Sequence, residues 1–389
     1  MTPAAVTRTT GTGGTHEDTG GAHDGPARTR TSRSRDATAP ADATASITGP
    51  PASLARCRTL VRPALADAVG RLHPWPGEMA AYSLGWSDTG GTPAPGASEG
   101  KGIRQALAVL AAEASGAPGR SAVPGAVAVE LVHAFSLLHD DIMDGDETRR
   151  QRRTVWKAYG TGPAVLAGDG LLAIAMETLA ETPGAGGGAA VLRLSGTLTL
   201  LVRGQAEDLL FADRPWTGPD AVRTDAYRAM AEHKTGSLLG CAAALGALLG
   251  GAPDRTVAAL DRAGRHLGVA FQAVDDLLGI WGDPARTGKP VHGDLRQRKK
   301  TYPVIAALAS DVPAARELAA LLSSPYPPDD ATAARAADLI EAAGGRTATL
   351  TEAHQHLDAA RACLRGVALA PDAVDEIEEL LGYLALRTV

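Results

Sequence analysis

From Leu54 onward the chain alternates apolar-rich segments of helical length with short runs of glycine, proline and small polar residues. No segment alternates apolar with polar positions for long, as a strand would. The interruptions include "SDTGGTPAPGASEG" (Ser87 to Gly100), "ETPGAGGG" (Glu181 to Gly188), "GDPARTGKPVHGD" (Gly282 to Asp294) and "SSPYPPDD" (Ser323 to Asp330). Between them the pattern predicts helices over Pro163 to Leu179, Ala221 to Leu249 and Val257 to Trp281. Another is expected where Pro124 suits a first turn and the run carries Val127, Leu131, Leu138 and Met143 before Gly145 interrupts it. About ten or more helices and no obvious sheet are expected. No fixed-period repeat points to a solenoid. Ahead of these helices, Met1 to Ser53 holds no Leu, Phe, Tyr or Trp. Such a segment cannot bury enough apolar surface to offset its ordering entropy, so residues 1–53 are expected to be a disordered extension and 54–389 the folded domain.

Composition supports an all-α fold. Of the 389 residues 44% are hydrophobic but only 4% aromatic, so the core must be built from Ala, Leu and Val, a mixture that favours closely packed helices. A net charge of −6 with mixed signs provides no broad basic field for nucleic acid, and "TRTSRSR" (Thr29 to Arg35) reads as a solvated patch. Three widely spaced cysteines without a CxxC pair fit a reduced, cytoplasmic setting. No secretory h-region is present, and no run of about 18 uninterrupted apolar residues predicts a membrane span.

Chemistry concentrates in "LVHAFSLLHDDIMDGDETRR", Leu131 to Arg150. Asp140 and Asp144 are four apart and share a helix face, with Asp141 on its flank. Carboxylates this close repel one another unless a cation intervenes; a hard divalent ion would serve, and so would exposure of an acidic helix end to water. A second acidic pair, Asp275 and Asp276 in "FQAVDDLLGIWGD", favours the metal. Magnesium keeps some of its waters and shares phosphate oxygens, so a phosphorylated ligand is implied. Arg149, Arg150, Lys289, Lys299, Lys101, Arg104 and Lys234 are the basic residues near these acids, and arginine's planar fork matches phosphate oxygens.

In chain order, "GKGIR", "ELVHAFSLLHDDIMD", "RR", "AVLAGDGLL", "GQAEDL", "KTG", "FQAVDDLLGIWGD", "GK" and "DLRQRKKTYPV" resemble the motifs of the trans-polyprenyl diphosphate synthases, the geranylgeranyl and farnesyl diphosphate synthases among them. The resemblance covers roughly Leu54 to Val389 and implies the isoprenoid synthase fold. That fold is a single large helical bundle around a deep central cavity, usually a homodimer, with the two acidic motifs facing each other. It implies Asp140, Asp144 and Asp275 as ligands of Mg2+, three ions per site with substrate bound, with Asp141 and Asp276 in support. Lys101, Arg104, His133 and Arg150 match positions that bind isopentenyl diphosphate. Arg149, Lys234, Lys289 and Lys299 match positions that grip the allylic diphosphate, and Thr235 and Gln272 lie near the allylic cation. The expected reaction ionises the allylic C–O bond, adds isopentenyl diphosphate to the cation and loses a proton to the departing diphosphate.

The sequence departs from the family pattern at Gly279, where a third aspartate is common. It also departs at Gly102 and Gln105, where Arg and Pro are common, and at Gln151 and Arg153, where Gly and Pro are usual. Ser136 shares the face of Asp140 and leaves room for a growing chain, and the resemblance makes Phe135 its floor. The expected product is C20, with C15 the alternative. A terpene cyclase would not need Lys101, Arg104 and Arg150, and a non-catalytic partner subunit would be expected to have lost aspartates. Finally, "AYSLGW" and "RRTVW" resemble a bacterial branch of the family in which some members are cargo of encapsulin shells, which implies residues 1–53 as a docking tail.

Overall fold

Helix α4 (Val123–Met143), which ends at the first acidic motif, lies at the centre of the chain's largest apolar cluster; Leu131 and Val132 are fully buried. The computed structural model describes residues 49–95, 100–184, 186–284 and 291–385. Ile47–Val389 cluster as one unit. Helix α1 (Ala52–Gly70) begins two residues ahead of the expected boundary at 53/54, and Lys289 lies outside the described residues.

Helices α2 (Pro74–Ser83), α3 (Ile103–Ala114) and α4 are followed by a hairpin of β1 (Thr148–Arg149) and β2 (Arg152–Arg153), whose antiparallel register pairs Arg149 with Arg152. This two-stranded hairpin is a small addition to a fold that is all-α as expected. Two-residue strands leave no alternation to read, and the turn has positive φ at Arg150 (52°) and Gln151 (63°), as a tight hairpin requires. After α5 (Val155–Tyr159), α6 (Thr161–Ala180) and α7 (Gly186–Ala212), the expected helix over Ala221 to Leu249 appears in three pieces. These are α8 (Thr224–Ala231), a π-helical turn (Glu232–Gly236) and α9 (Ser237–Leu249). A π turn inserts one residue without disturbing the apolar run, so periodicity alone misses it.

Helix α10 (Asp254–Trp281) packs along α9 and carries the second acidic motif. It is followed by α11 (Gly293–Arg296), α12 (Tyr302–Leu308), α13 (Pro313–Leu322), α14 (Asp330–Ala342), α15 (Gly345–Arg365) and α16 (Pro371–Ala385). A second apolar cluster joins Ile280 of α10 to Leu295 of α11 and to Val304, Leu318 and Ile340. Helix α11 is thereby fixed to the bundle.

By length and composition two helical stretches could cross a membrane, Gly119–Met143 and Thr161–Ala180. The first is a core element. The second is one-third buried, leaving Val165 and Leu166 exposed on α6. Exposed Leu192, Val202 and Leu210 on α7 add to the uncovered apolar surface.

Candidate active site

Asp140 and Asp275, the first aspartates of the two acidic motifs, are 135 residues apart in sequence. Lys299, in the segment after the second motif, places Nζ 3.6 Å from Asp144 Oδ2 of the first. Burial alone would lower the Lys299 pKa, but Asp144, Asp294, Asp146 and Asp208 outweigh it and hold the ammonium charged. Burial pushes Asp140 up to about 6, with Lys234 opposing and Asp144 adding to the rise. An unbalanced carboxylate of this kind gains from a nearby cation.

Asp141 and Asp276 are each buried against partners of their own. Asp141 is 4% exposed and accepts from Arg149 Nε at 2.8 Å and from its Nη2 at 2.6 Å. Against burial, which lowers it, these bonds raise the Arg149 pKa. Asp276, 3% exposed, accepts from the Tyr302 backbone N–H at 2.8 Å, from Gln272 Nε2 at 3.0 Å and from the Tyr227 hydroxyl. Burial outweighs these bonds and pushes its carboxyl up to about 7. Both support roles are therefore specific: Asp141 aims a guanidinium, and Asp276 fixes a hydrogen-bonded frame.

That frame continues outward. The Tyr302 hydroxyl donates to Glu352 Oε2 at 2.8 Å, Arg228 Nη2 donates to the same oxygen at 2.9 Å, and His356 Nε2 lies 3.1 Å from Oε1. Inward, Thr235 Oγ1 donates to Gln272 Oε1 at 2.9 Å, joining the π turn to α10. The turn is wedged between two glycines. A Cβ on Gly204 would come within 2.7 Å of Lys234 Cα, and one on Gly268 within 3.0 Å of the Thr235 carbonyl carbon. Only glycine permits this approach. Lys234 then reaches Asp208 Oδ2 at 2.6 Å.

The remaining cations gather around α3, α4 and the hairpin. A cleft of about 650 Å3 is lined by Glu130, His133, Asp141, Arg149 and Arg150, among others. The Arg150 guanidinium sits against Gly100, whose φ of +81° lets the chain turn beneath it. Lys101 Nζ lies 5.8 Å from the Phe271 ring of α10. Glu130 accepts from the Gln105 backbone N–H at 3.1 Å, and the charges of Arg104, Arg150 and Arg58 bear on it. Arg104 Nε is buried without a hydrogen-bond partner among the described residues. Burial and the neighbouring Arg104, Arg150 and Arg149 hold the His133 pKa well below its usual value. A neutral imidazole amid guanidiniums can donate to an anion without adding repulsion. Elsewhere on α4, the half-buried Ser136 hydroxyl donates to its own helix at His133 O, and the half-buried Phe135 ring meets His139 edge-on at 4.7 Å.

Among the described residues no three carboxylates, imidazoles or thiolates form a metal cage. The carboxylates implied as donors are hard oxygens, with the Lys299 ammonium beside Asp144 and the Lys234 ammonium beside Asp208. They fit Mg2+ that completes its shell with water and diphosphate oxygens. Sequence reasoning did not assign roles to Glu130, Asp208, Tyr227, Asp294, Tyr302 or Glu352. Asp208 and Asp294 stand in quoted motifs and could have been found there; Glu352, on α15, carries no such signal.

The polyprenyl synthetase family model matches residues 96–340. The chain is 45% identical over 332 residues to (2E,6E)-farnesyl diphosphate synthase of Mycobacterium tuberculosis, covering 84% of this chain and 90% of that one. It is also 45% identical over 324 residues to geranylgeranyl diphosphate synthase of the same organism, covering 83% and 91%. A crystal structure of a polyprenyl synthetase from Streptomyces coelicolor superposes with a TM-score of 0.79 at 47% identity, covering 86% of this chain and 98% of that one. The chain therefore belongs to the polyprenyl synthetase family as a short-chain trans-prenyltransferase.

Proposed function

We propose that the chain condenses isopentenyl diphosphate with an allylic diphosphate (dimethylallyl, geranyl or farnesyl) to give C20 geranylgeranyl diphosphate. The observation that supports this reading is the Lys299 to Asp144 contact, which sets a cation from the segment after the second motif beside the first motif. The buried, unpartnered Arg104 Nε supports an anion beside them.

In this reading Asp140, Asp144 and Asp275 hold Mg2+, three ions in the loaded site. Bound Mg2+ supplies Lewis-acid stabilisation of the charge that grows on the diphosphate as the C–O bond ionises. Arg149, aimed by Asp141, together with Lys234 and Lys299, grips the allylic diphosphate, and Lys289 is proposed to join them. Lys101, Arg104, Arg150 and neutral His133 hold isopentenyl diphosphate with its double bond toward the allylic carbon. The Thr235 and Gln272 oxygens face the developing cation, and the apolar walls of α4 exclude water that would quench it. The departing diphosphate takes the proton.

C15 is the alternative product, because relatives of both names match at 45% identity. Incubation with Mg2+, labelled isopentenyl diphosphate and each allylic primer should give C20; C15 alone would favour the farnesyl reading, and no incorporation would remove both. Phe135→Ala should lengthen the product, and an unchanged distribution would show that Phe135 is not the floor. We also propose a cytoplasmic homodimer, for which the exposed apolar side chains of α6 and α7 offer a surface. The proposal that residues 1–53 dock in an encapsulin shell rests on sequence alone. In the structure "AYSLGW" and "RRTVW" brace each other locally, since the Tyr82 hydroxyl donates to Arg153 O and Arg152 to Tyr82 O. A chain beginning at Ala52 should keep its activity and lose shell retention. Equal retention would rule the tail out.

A further inference from the structure

A pocket of about 400 Å3 between the π turn, α10 and α15 is lined by Glu232, Arg262, Arg265, His266, Val269 and His356. None of these is an acidic-motif residue or a cation assigned to prenyl transfer. Two of them end a hydrogen-bonded relay. Burial raises the Glu352 pKa, but His356, Arg228 and Tyr302 outweigh it and keep this carboxylate an ionised acceptor. His356 Nε2 therefore carries the proton of its 3.1 Å contact with Glu352 Oε1. A neutral His356 then presents a lone pair at Nδ1, so the proton of the 3.0 Å contact between the two Nδ1 atoms belongs to His266. The nitrogen left without a proton is His266 Nε2. Protonation there makes the ring a cation and breaks neither bond.

The charges around the pocket favour an anion. Arg262 is exposed and has no hydrogen bond or ion pair among the described residues. Arg265 Nε donates to Asp261 Oδ2 at 2.8 Å, Arg193 Nη1 lies 3.4 Å from Asp261 Oδ1, and Glu232 Oε1 is 3.8 Å from Arg265 Nη1. Behind His356, Arg228 pairs with Glu352. Four arginines thus meet three carboxylates, which leaves one positive charge before either histidine gains a proton. Burial, His356 and Arg262 hold the His266 pKa below its usual value against the opposing charge of Glu232. An anion beside the ring would reverse that balance. Two imidazoles do not make a metal cage, none forms among the described residues, and the arginines repel a cation.

We propose that this pocket is a second anion site, apart from the residues of prenyl transfer, which takes the phosphoryl group of inorganic phosphate or diphosphate between Arg262, Arg265 and a protonated His266. The guanidiniums pair with phosphoryl oxygens, and the His266 Nε2 proton, taken from solvent on binding, donates to another. Glu232 opposes the anion, so occupancy depends on that proton. Through His356, Glu352 and Tyr302 the bound charge bears on the frame behind Asp276.

The test uses the full chain and sulfate as the first probe, because sulfate keeps its charge across the range in which histidine titrates. Binding is followed by nuclear magnetic resonance of the His266 imidazole, assigned by its loss in His266→Gln. Sulfate at constant ionic strength should shift these resonances saturably. A His266 pKa raised by the anion favours binding below that pKa and stops doing so as pH rises through it, so sulfate should bind about tenfold more tightly at about pH 5.5 than at about pH 8. Arg262→Gln, which changes an exposed side chain, should weaken binding by about fivefold or more, and Glu232→Gln should tighten it by about threefold. Phosphate and diphosphate are then titrated into the parent and Arg262→Gln. The one whose affinity depends more on Arg262 is the occupant, and either supports the site. His266 resonances that ignore sulfate, or that move equally in the parent and Arg262→Gln, would overturn the proposal, as would equal sulfate affinity at the two pH values.

Discussion

The two acidic motifs look alike in sequence, each an aspartate pair closing an apolar helix, yet the fold supports them by opposite means. At the end of α4, the second aspartate of the pair, Asp141, is neutralised by a charge, the Arg149 guanidinium. At the end of α10 the corresponding Asp276 is surrounded by neutral donors, namely a tyrosine hydroxyl, a backbone N–H and a glutamine amide. The position four residues after the first aspartate differs as well. Asp144 follows in register on its own chain segment, whereas the space at 279 is taken by Asp294 from another helix. The first motif is thus tied to a cationic hairpin, and the second to a hydrogen-bonded frame. A buried carboxylate can be satisfied either by an ion pair or by several neutral donors, and the choice decides what else is coupled to it.

The largest effect should come from removing the aspartates on which the motifs do not differ. Asp140→Ala and Asp275→Ala should each lower kcat by about 10²–10³-fold, since each removes stabilisation of developing charge. Near-normal turnover at saturating Mg2+ in either variant would contradict the shared role.

The support residues should separate the motifs. Asp141→Asn frees Arg149 and should raise KM for the allylic diphosphate by about 10-fold with a smaller change in kcat. Asp276→Asn should instead lower kcat and thermal stability together, because its amide meets three donors. Identical KM and kcat patterns for the two variants would mean that the supports are equivalent.

The frame behind the second motif should be sensitive to acid. Burial pushes Glu352 up, but His356, Arg228 and Tyr302 outweigh burial and hold it well below the usual carboxylate range. A depressed pKa contributes stability above the unfolded value of 4.5 and loses it as pH falls below that value. Glu352→Gln should cost about 3 kcal/mol near neutral pH and flatten the acid limb of the stability profile. A parallel shift of the whole curve would show that Glu352 does not set that limb.

The smallest effect concerns the hairpin. Gln151 adopts φ of 63°, which glycine tolerates better, so Gln151→Gly should stabilise the hairpin by about 1 kcal/mol. A lower melting temperature would show that the Gln151 side chain matters more than its backbone strain.

Helical periodicity and composition were enough to identify the helices of the bundle, and the order of the motifs was enough to identify the family. Both signals are local, repeated along the chain and insensitive to packing detail. Asp140, Asp144 and Asp275 stood out in the sequence as paired acids late in apolar helices, and the resemblance implied roles for them and for the cations around them. Asp141 and Asp276 were legible as acids but not as an ion-pair partner and a hydrogen-bond hub, because their partners sit on other elements. The π turn left no trace because inserting one residue does not break an apolar run, and its position depends on Gly204 and Gly268, glycines on two other helices. Glu352 joins the site across 76 residues from Asp276 through Tyr302, a route that exists only once α10, α12 and α15 are packed. Gly279 read in sequence as a lost ligand; in the structure it is the opening through which Asp294 enters. The sequence alone determined which chemistry was present, since residue type carries charge and hydrogen-bonding capacity. Only the tertiary structure decided which groups share a volume, since that depends on distances that adjacency along the chain does not specify.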